Sequence, residues 1–136
     1  MKKTATAQWK GKGKEGSGNF SASSGLFNNV PYNFLNRFEK EEGTSPEELI
    51  AAAHASCFCM KLSIVLANAG FTTENLTTAC TITIEAGVIT SSHLAVKASV
   101  PGIDKAKFDE CAADAKMNCP VSKVLRAEVS MEAELE

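Results

Sequence analysis

The sequence lacks an excess of charge of either sign, and it lacks the closely spaced cysteine pairs of common metal and redox motifs. Fourteen Lys and Arg residues balance sixteen Asp and Glu residues, for a net charge of −2. This balance disfavours nucleic acid as the main partner and favours small-molecule chemistry or protein contact. Five cysteines are present without a CxxC motif, so neither a zinc ribbon nor a disulfide framework is expected.

The N-terminal segment also lacks the features of a secretory signal. Lys2 and Lys3 are not followed by an apolar run with a small-residue cleavage site. The only apolar stretch long enough to raise a membrane question covers residues 49–69, and it contains His54, Lys61 and Asn68. We therefore expect no membrane span, a cytoplasmic protein, and cysteines that start as reduced thiols.

The composition indicates one compact domain over residues 1–136. Of the 136 residues, 44% are apolar and 22% are charged, in the range of a globular chain with a real core. Alternating residues and a Gly- and Ser-rich turn near residues 14–18 predict two strands within residues 5–27. Residues 28–46 are polar and turn-rich, and they predict a long loop around one possible short strand.

A long apolar helix is predicted after this loop. Ser45 can be its N-cap, Pro46 fits the first helical position, and Glu48 can complete a capping box. Gly70 supplies the stop. The helix then has about 24 residues and a length of roughly 36 Å. Because it is apolar around most of its circumference, it needs more cover than this short chain supplies, and we expect a partner subunit.

The second half of the sequence predicts two strands, two helices and a closing strand. Residues 76–87 and 88–100 both alternate in the manner of strands and are separated by Gly87, which suggests an antiparallel pair. A helix is expected from an Asp104 N-cap to about Met117, followed by a short helix with Pro120 at its first position. The last ten residues alternate as a closing strand. This order predicts an α+β fold with an antiparallel sheet.

The five cysteines differ in their local arguments for reactivity. Cys119 lies at a predicted helix N-terminus, where unpaired backbone N–H groups favour a thiolate. Cys57 lies in the middle of the apolar helix, where burial raises a thiol pKa, so a reactive Cys57 requires a positive partner. Cys59 is about 200° around the axis from Cys57 and cannot share its face. Cys80 and Cys111 occupy positions where a small packed hydrophobe is expected.

Two further residues could assist a reactive thiol. His54 precedes Cys57 by three residues on roughly the same face, so a Cys–His couple is geometrically possible. A histidine on a mostly apolar helix is more often packed or hydrogen-bonded. Arg37 is the other available cation and lies in the acidic loop NRFEKEEG, where by itself it is a surface arginine.

Several stretches together carry a family resemblance. PYNFLNRFEKEEGTSPEELIAAAHASCFCMKLS is followed by VPGIDKAKF and NCPVSKVL. In content, order and spacing these stretches resemble the OsmC branch of the OsmC/Ohr family of thiol-dependent peroxidases, from about Trp9 to the final strand. The resemblance implies an OsmC-like fold: an intertwined homodimer, with long apolar central helices packed on antiparallel sheets and active sites at the interface.

The resemblance also implies an activity and four site residues. Cys57 would be the peroxidatic cysteine and Cys119 its resolving partner, with Arg37 stabilising the thiolate and Glu47 holding Arg37. The substrate would be an organic hydroperoxide and the reductant an external dithiol, which the family suggests is a dihydrolipoyl protein. No metal or organic cofactor would be required.

Helix geometry adds a constraint to the implied site. Glu47 and Cys57 are ten residues apart, which is about 15 Å along one helix. We therefore predict a composite site in which Glu47 comes from the other subunit, whereas Arg37 could come from either. Phe34, Phe38 or Phe58 would favour bulky alkyl hydroperoxides.

The sequence is also compatible with two other functions, and one residue departs from the family pattern. The chain could be a redox-sensing or hydrophobic-ligand-binding dimer without turnover, or a structural fold with inert thiols. Cys59 departs from the family pattern, in which a small residue is common at this position. It could simply fill space on the far face of the helix, or it could be a spare thiol.

Overall fold

The computed structural model describes residues 1–38 and 43–136, which form two compact units, Met1–Leu49 and Ile50–Glu136. The acidic run of the predicted loop, residues 39–42, lies outside the described residues. The expectation of a single domain over residues 1–136 stays a prediction.

The first unit contains a three-stranded antiparallel sheet in the order β1-β2-β3. Its strands are β1 (Ala5–Lys10), β2 (Ser17–Ala22) and β3 (Val30–Asn33). The two predicted strands and the possible short strand are therefore confirmed. The first turn lies earlier than expected, because Ser17 already pairs with Lys10 at the start of β2. A single 3-10 turn, Leu35–Arg37, follows β3.

The long helix, α1 (Pro46–Asn68), has 23 residues and begins as predicted. The Ser45 hydroxyl oxygen accepts a hydrogen bond from the Glu48 backbone N–H at 3.2 Å, which confirms the N-cap. The second half of the predicted capping box is different, because the Glu48 carboxylate accepts from the Thr44 hydroxyl at 2.7 Å instead. Gly70 ends the helix with φ of +92°, a conformation that glycine adopts without strain.

The second unit contains the sheet β4-β5-β6. Strands β4 (Asn75–Glu85) and β5 (Val88–Ser99) form the predicted antiparallel pair. Helices α2 (Lys105–Asn118) and α3 (Pro120–Val124) then lead to β6 (Glu128–Leu135). Strand β6 runs parallel to β5, so the prediction of an antiparallel sheet is wrong for this strand. The physical reason is the helical crossover, which returns the chain to the end of the sheet where β5 began.

The core of the second unit lies among α1, the sheet and α2. Helix α1 buries a single stripe at i, i+4 spacing that includes Phe58, Leu62 and Leu66. Helix α2 buries one apolar face, made of Phe108, Cys111, Ala112 and Ala115. Strand β5 adds Leu94, Val96 and Ala98.

A second apolar surface of α1 remains uncovered in the single chain. Met60 is 66% exposed and Ile64 is 48% exposed. By length and composition alone α1 could cross a membrane, and only 22% of its most apolar window is buried within the chain. A core helix that lacks its cover meets the same criteria.

Candidate active site

The second unit brings two of the predicted site residues, Cys57 and Cys119, into direct contact. Cys57 lies midway along α1, and Cys119 lies between the end of α2 and the start of α3. Their thiols are within hydrogen-bonding distance of each other. Both are free thiols in this structure. Two cysteines separated by 61 intervening residues of sequence are thus neighbours in the fold.

The surroundings of Cys119 favour its thiolate. Burial by itself would raise the pKa of this thiol, but hydrogen bonds from the backbone N–H of Ser122, from the Cys57 thiol, from the Ser122 hydroxyl and from the backbone N–H of Val121 outweigh it. The pKa of Cys119 is therefore lowered. The turn into α3 produces this arrangement, because Pro120 occupies the first helical position and the backbone N–H groups of Val121 and Ser122 that follow it help to lower the pKa of the thiol.

Cys57 is in the opposite situation. Burial raises its pKa, and the hydrogen bond that it donates to Cys119 and the charge of a Cys119 thiolate add to the increase. The backbone N–H of Val121 opposes these effects but does not reverse them. Within the second unit, the thiol that ionises first is therefore Cys119. A reactive Cys57 thiolate needs a cation from elsewhere, as the sequence indicates.

His54 is not paired with Cys57. Its Nδ1 lies 2.6 Å from the Ser92 hydroxyl oxygen, and its Nε2 lies 2.8 Å from the Ser122 hydroxyl oxygen. The side chain is completely buried, and burial lowers its pKa so that the imidazole is neutral at pH 7. Both ring nitrogens are thus engaged, which leaves neither to act as a base towards Cys57.

The other three cysteines have separate environments. Cys59 donates to the Thr78 hydroxyl at 3.1 Å, so it points away from the Cys57–Cys119 pair, in agreement with the helix geometry. The Cys80 sulfur lies 3.2 Å from the Ser92 hydroxyl oxygen. Cys111 is buried in α2. Burial raises the pKa of Cys80 and of Cys111.

The first unit brings the other two predicted site residues together. Arg37 Nε lies 3.1 Å from Glu47 Oε1, and the two side chains are 38% and 15% exposed. Local structure fixes the arginine, because the Asn36 backbone N–H donates to Asn33 Oδ1 and the Asn36 amide donates to the Thr44 carbonyl. The second carboxylate oxygen of Glu47 is buried and has no hydrogen-bond partner among the described residues.

Aromatic side chains surround this ion pair. A cavity of about 240 Å³ is lined by Arg37 together with Trp9, Tyr32, Phe34 and Pro46, among others. The Arg37 guanidinium lies 6.0 Å from the centroid of the Phe34 ring. The first unit therefore holds a positive charge beside an apolar surface, a combination that suits a small molecule with one polar and one apolar end. Of the other predicted wall residues, Phe38 is exposed, whereas Phe58 is buried in the core of the second unit.

Two serines beside the site were missed by sequence reasoning. Ser92 is completely buried on the core face of β5, and Ser122 follows Cys119 by three residues. The alternation of β5 does indicate the role of Ser92. This serine lies on the same face as Leu94 and Val96, so its hydroxyl must find a hydrogen-bond partner in the core. Ser122 had no such sign, because its hydrogen-bond partner His54 lies 68 positions away in the sequence.

No group of three His, Cys, Asp or Glu side chains in residues 1–38 and 43–136 is arranged to hold a metal ion.

Comparison with known proteins shows what this chain is similar to. The family model described as OsmC-like protein matches residues 39–134. Peroxiredoxin OsmC of Escherichia coli (strain K12) is 46% identical over 137 aligned positions, which cover 98% of this chain and 96% of that protein.

Solved structures agree on the fold. The OsmC-like protein of Mycoplasma pneumoniae gives a TM-score of 0.77 at 12% identity, covering 99% of this chain and 97% of that one. An organic hydroperoxide resistance protein of Legionella pneumophila gives a TM-score of 0.70 at 20% identity, covering 98% of this chain and 96% of that one.

Proposed function

The chain belongs to the OsmC family, and from this premise we propose that it is a cysteine-dependent peroxidase that reduces organic hydroperoxides to alcohols. The relative from Escherichia coli is named a peroxiredoxin, and the similar protein from Legionella pneumophila is described as an organic hydroperoxide resistance protein. The observation that carries the proposal is the contact between the thiols of Cys57 and Cys119. A peroxidase that works through a disulfide needs two cysteines in this relation.

In the proposed reaction Cys57 is the nucleophile. Its thiolate attacks the distal oxygen of the hydroperoxide, the O–O bond breaks, and the alkoxide leaves as the alcohol after it takes up a proton. Cys57 is then a sulfenic acid. The Cys119 thiolate attacks the Cys57 sulfur and displaces hydroxide, which leaves as water, and a disulfide forms. The lowered pKa of Cys119 supports this second step.

Arg37 would supply the charge that Cys57 lacks. A guanidinium beside the thiolate and the peroxide favours the charged form of the nucleophile and the developing charge on the leaving oxygen. Glu47 would fix the arginine through the observed 3.1 Å ion pair. The aromatic cavity next to Arg37 would accommodate the organic part of the substrate and favour an alkyl or aryl hydroperoxide over hydrogen peroxide.

We propose that this site is completed in a homodimer. Glu47 and Cys57 are ten residues apart on the continuous helix α1, or about 15 Å along its axis. An arginine held by Glu47 would therefore serve Cys57 of the second subunit. The exposed Met60 and Ile64 on α1 would be covered in the same assembly, which would keep this helix in a soluble, cytoplasmic protein rather than in a membrane.

The catalytic cycle would close with an external dithiol, for which a dihydrolipoyl protein is a suitable donor. The two thiols of the dithiol would reduce the Cys57–Cys119 disulfide by successive exchange. The reaction would involve no metal and no organic cofactor.

The first experiment measures consumption of cumene hydroperoxide and of hydrogen peroxide with excess dithiol. Many turnovers per enzyme, a preference for the organic peroxide and complete loss of turnover in Cys57→Ser are expected. Cys119→Ser should lose catalytic turnover while Cys57 is still oxidised. Cys111→Ser is the matched control, because this thiol is buried away from the pair. Consumption of a single equivalent would instead favour a redox sensor or ligand-binding dimer, and turnover without Cys57 would contradict the proposed mechanism.

A further inference from the structure

A chain of buried and half-buried side chains leads to Cys119. The Cys80 sulfur lies 3.2 Å from the Ser92 hydroxyl oxygen, and this oxygen lies 2.6 Å from His54 Nδ1. On the other side of the ring, His54 Nε2 lies 2.8 Å from the Ser122 hydroxyl oxygen. Ser122 lies in the first turn of α3, whose N-cap is Cys119, and its hydroxyl contributes to the lowered pKa of the Cys119 thiol. The chain thus links β4, β5 and α1 to the turn that holds the resolving thiol.

The hydrogens of this chain can be arranged in one direction. A Ser122 hydroxyl that donates its only hydrogen to Cys119 must accept a hydrogen from His54 Nε2. A neutral imidazole with its hydrogen on Nε2 has an acceptor at Nδ1, and the Ser92 hydroxyl donates to it. The Cys80 thiol then donates to the Ser92 oxygen. Each member gives one hydrogen and no donor is left over.

The other tautomer gives a different result at the sulfur. With the hydrogen on His54 Nδ1, the Nε2 atom would accept the hydrogen of Ser122, and Cys119 would lose its hydroxyl donor. Both tautomers are forms of the neutral imidazole, and burial favours this neutral form because it lowers the pKa of His54. The choice between the tautomers therefore decides how well the Cys119 thiolate is stabilised.

The two sulfurs also differ in access. Cys119 is completely buried, whereas Cys57 is partly exposed. An external thiolate can reach a disulfide between them more easily on the Cys57 sulfur. In exchange reactions, the sulfur with the more stable thiolate is also the better leaving group.

From this geometry we infer that His54 is a positioning residue: through Ser122 it directs a hydroxyl hydrogen to the Cys119 sulfur, so that Cys119 is the thiolate that leaves when an external thiol attacks Cys57. The inference rests on the proposed function for the Cys57–Cys119 disulfide itself.

The electrons and protons of the step balance. The attacking thiolate forms a bond to the Cys57 sulfur, the Cys57–Cys119 bond breaks, and Cys119 leaves with the electron pair, stabilised by Ser122. The second thiolate of the dithiol then attacks the other dithiol sulfur, which is bonded to Cys57 in the mixed disulfide. A bond forms between the two dithiol sulfurs, and Cys57 is released as a thiolate. The dithiol is oxidised to a cyclic disulfide, and the two protons that it loses neutralise the two released cysteines.

The test uses the full-length protein oxidised with one equivalent of diamide, so that no peroxidase turnover is needed. The disulfide is treated with 2-mercaptoethanol and quenched with acid, and the cysteine that carries the adduct is identified by mass spectrometry. An adduct on Cys57 with a free Cys119 is expected. An adduct mainly on Cys119, or failure of diamide to link the two cysteines, would overturn the inference.

Variants test the role of the relay. Ser122→Ala removes the hydroxyl and should slow reduction of the disulfide about tenfold, the size expected for one hydrogen bond to a charged group. The matched control is Ser130→Ala, because Ser130 lies 2.7 Å from Nδ1 of the other histidine, His93. The disulfide of the control variant should be reduced at the wild-type rate. A Ser122→Ala protein that also reduces at the wild-type rate would contradict the inference.

Conservative variants separate positioning from simple packing. His54→Gln places an amide donor near the Nε2 position and should preserve most of the rate, whereas His54→Asn has no atom that reaches Ser122 and should be as slow as Ser122→Ala. Equal rates for the two variants would overturn the role of His54. If the diamide-formed disulfide behaves as described but peroxide turnover is absent, the proposed function fails and the inference about the thiol pair stands.

Discussion

Cys57 donates a hydrogen bond to Cys119, and of these two residues it is Cys119 whose pKa is lowered. The more exposed sulfur is therefore the less acidic one. The position of each residue explains why Cys57 is the donor and Cys119 the acceptor. Cys119 lies at the start of α3, where backbone N–H groups are not used within the helix. Cys57 lies in the middle of α1, where the backbone N–H groups are all bonded within the helix. In the proposed peroxidase, the charge that favours a Cys57 thiolate would come from Arg37.

Arg37→Met should lower kcat/KM for an organic hydroperoxide by about 10- to 100-fold, because one charge-assisted contact to the reacting atoms is lost. Glu47→Gln should give a smaller decrease, because it removes the anchor of the arginine and not its charge. Steady-state kinetics with cumene hydroperoxide measure both. Lys14→Met is the control, since Lys14 is also a cation above the Phe34 ring. An equal decrease of kcat/KM in this control would indicate that any positive charge near the cavity has the same effect, and would contradict a specific role of Arg37.

Met60→Glu and Ile64→Glu should weaken the proposed dimer, because each places a charge on the apolar surface of α1 that a second subunit would cover. Light scattering coupled to size-exclusion chromatography gives the mass over a dilution series. Val88→Glu is the matched control, since this valine is 60% exposed at the start of β5. A wild-type protein that remains a 14.4 kDa monomer at all concentrations would rule out the composite site.

Stability should fall in mild acid because of His54. Its pKa is lowered by burial from 6.5, so the unfolded state binds a proton at a higher pH than the folded state does. The free energy of unfolding therefore decreases as the pH falls below about 6.5. Urea titrations at pH 7.5 and 5.5 should show a smaller decrease for His54→Gln than for the wild type. A wild-type decrease that persists unchanged in this variant would exclude His54 as its source.

Phe108→Ala should reduce the free energy of unfolding by about 3–5 kcal/mol, because Phe108 is completely buried and its removal leaves a cavity in the core. Met117→Ala on the same helix is the control, with a side chain that is 71% exposed and an expected change within about 0.5 kcal/mol. Urea unfolding monitored by circular dichroism measures both. Similar small changes in both variants would contradict the packing of α2 against the sheet.

The family resemblance of the sequence identified the two cysteines, and local patterns identified most of the elements around them. Ser45 and Gly70 fixed the ends of α1 because caps act through neighbouring backbone groups. The alternation of β5 and the apolar face of α2 were readable because burial repeats with the period of the element.

Relations between distant segments required the tertiary structure. The parallel direction of β6 depends on a crossover of two helices, which no local pattern records. The hydrogen bonds of His54 to Ser92 and Ser122 join residues 38 and 68 positions away, so the sequence left open whether this histidine was a base or a packed side chain. The sequence by itself determined which thiols and charges are present, and the fold decided their pKa order, because ionisation depends on neighbours that only folding brings together.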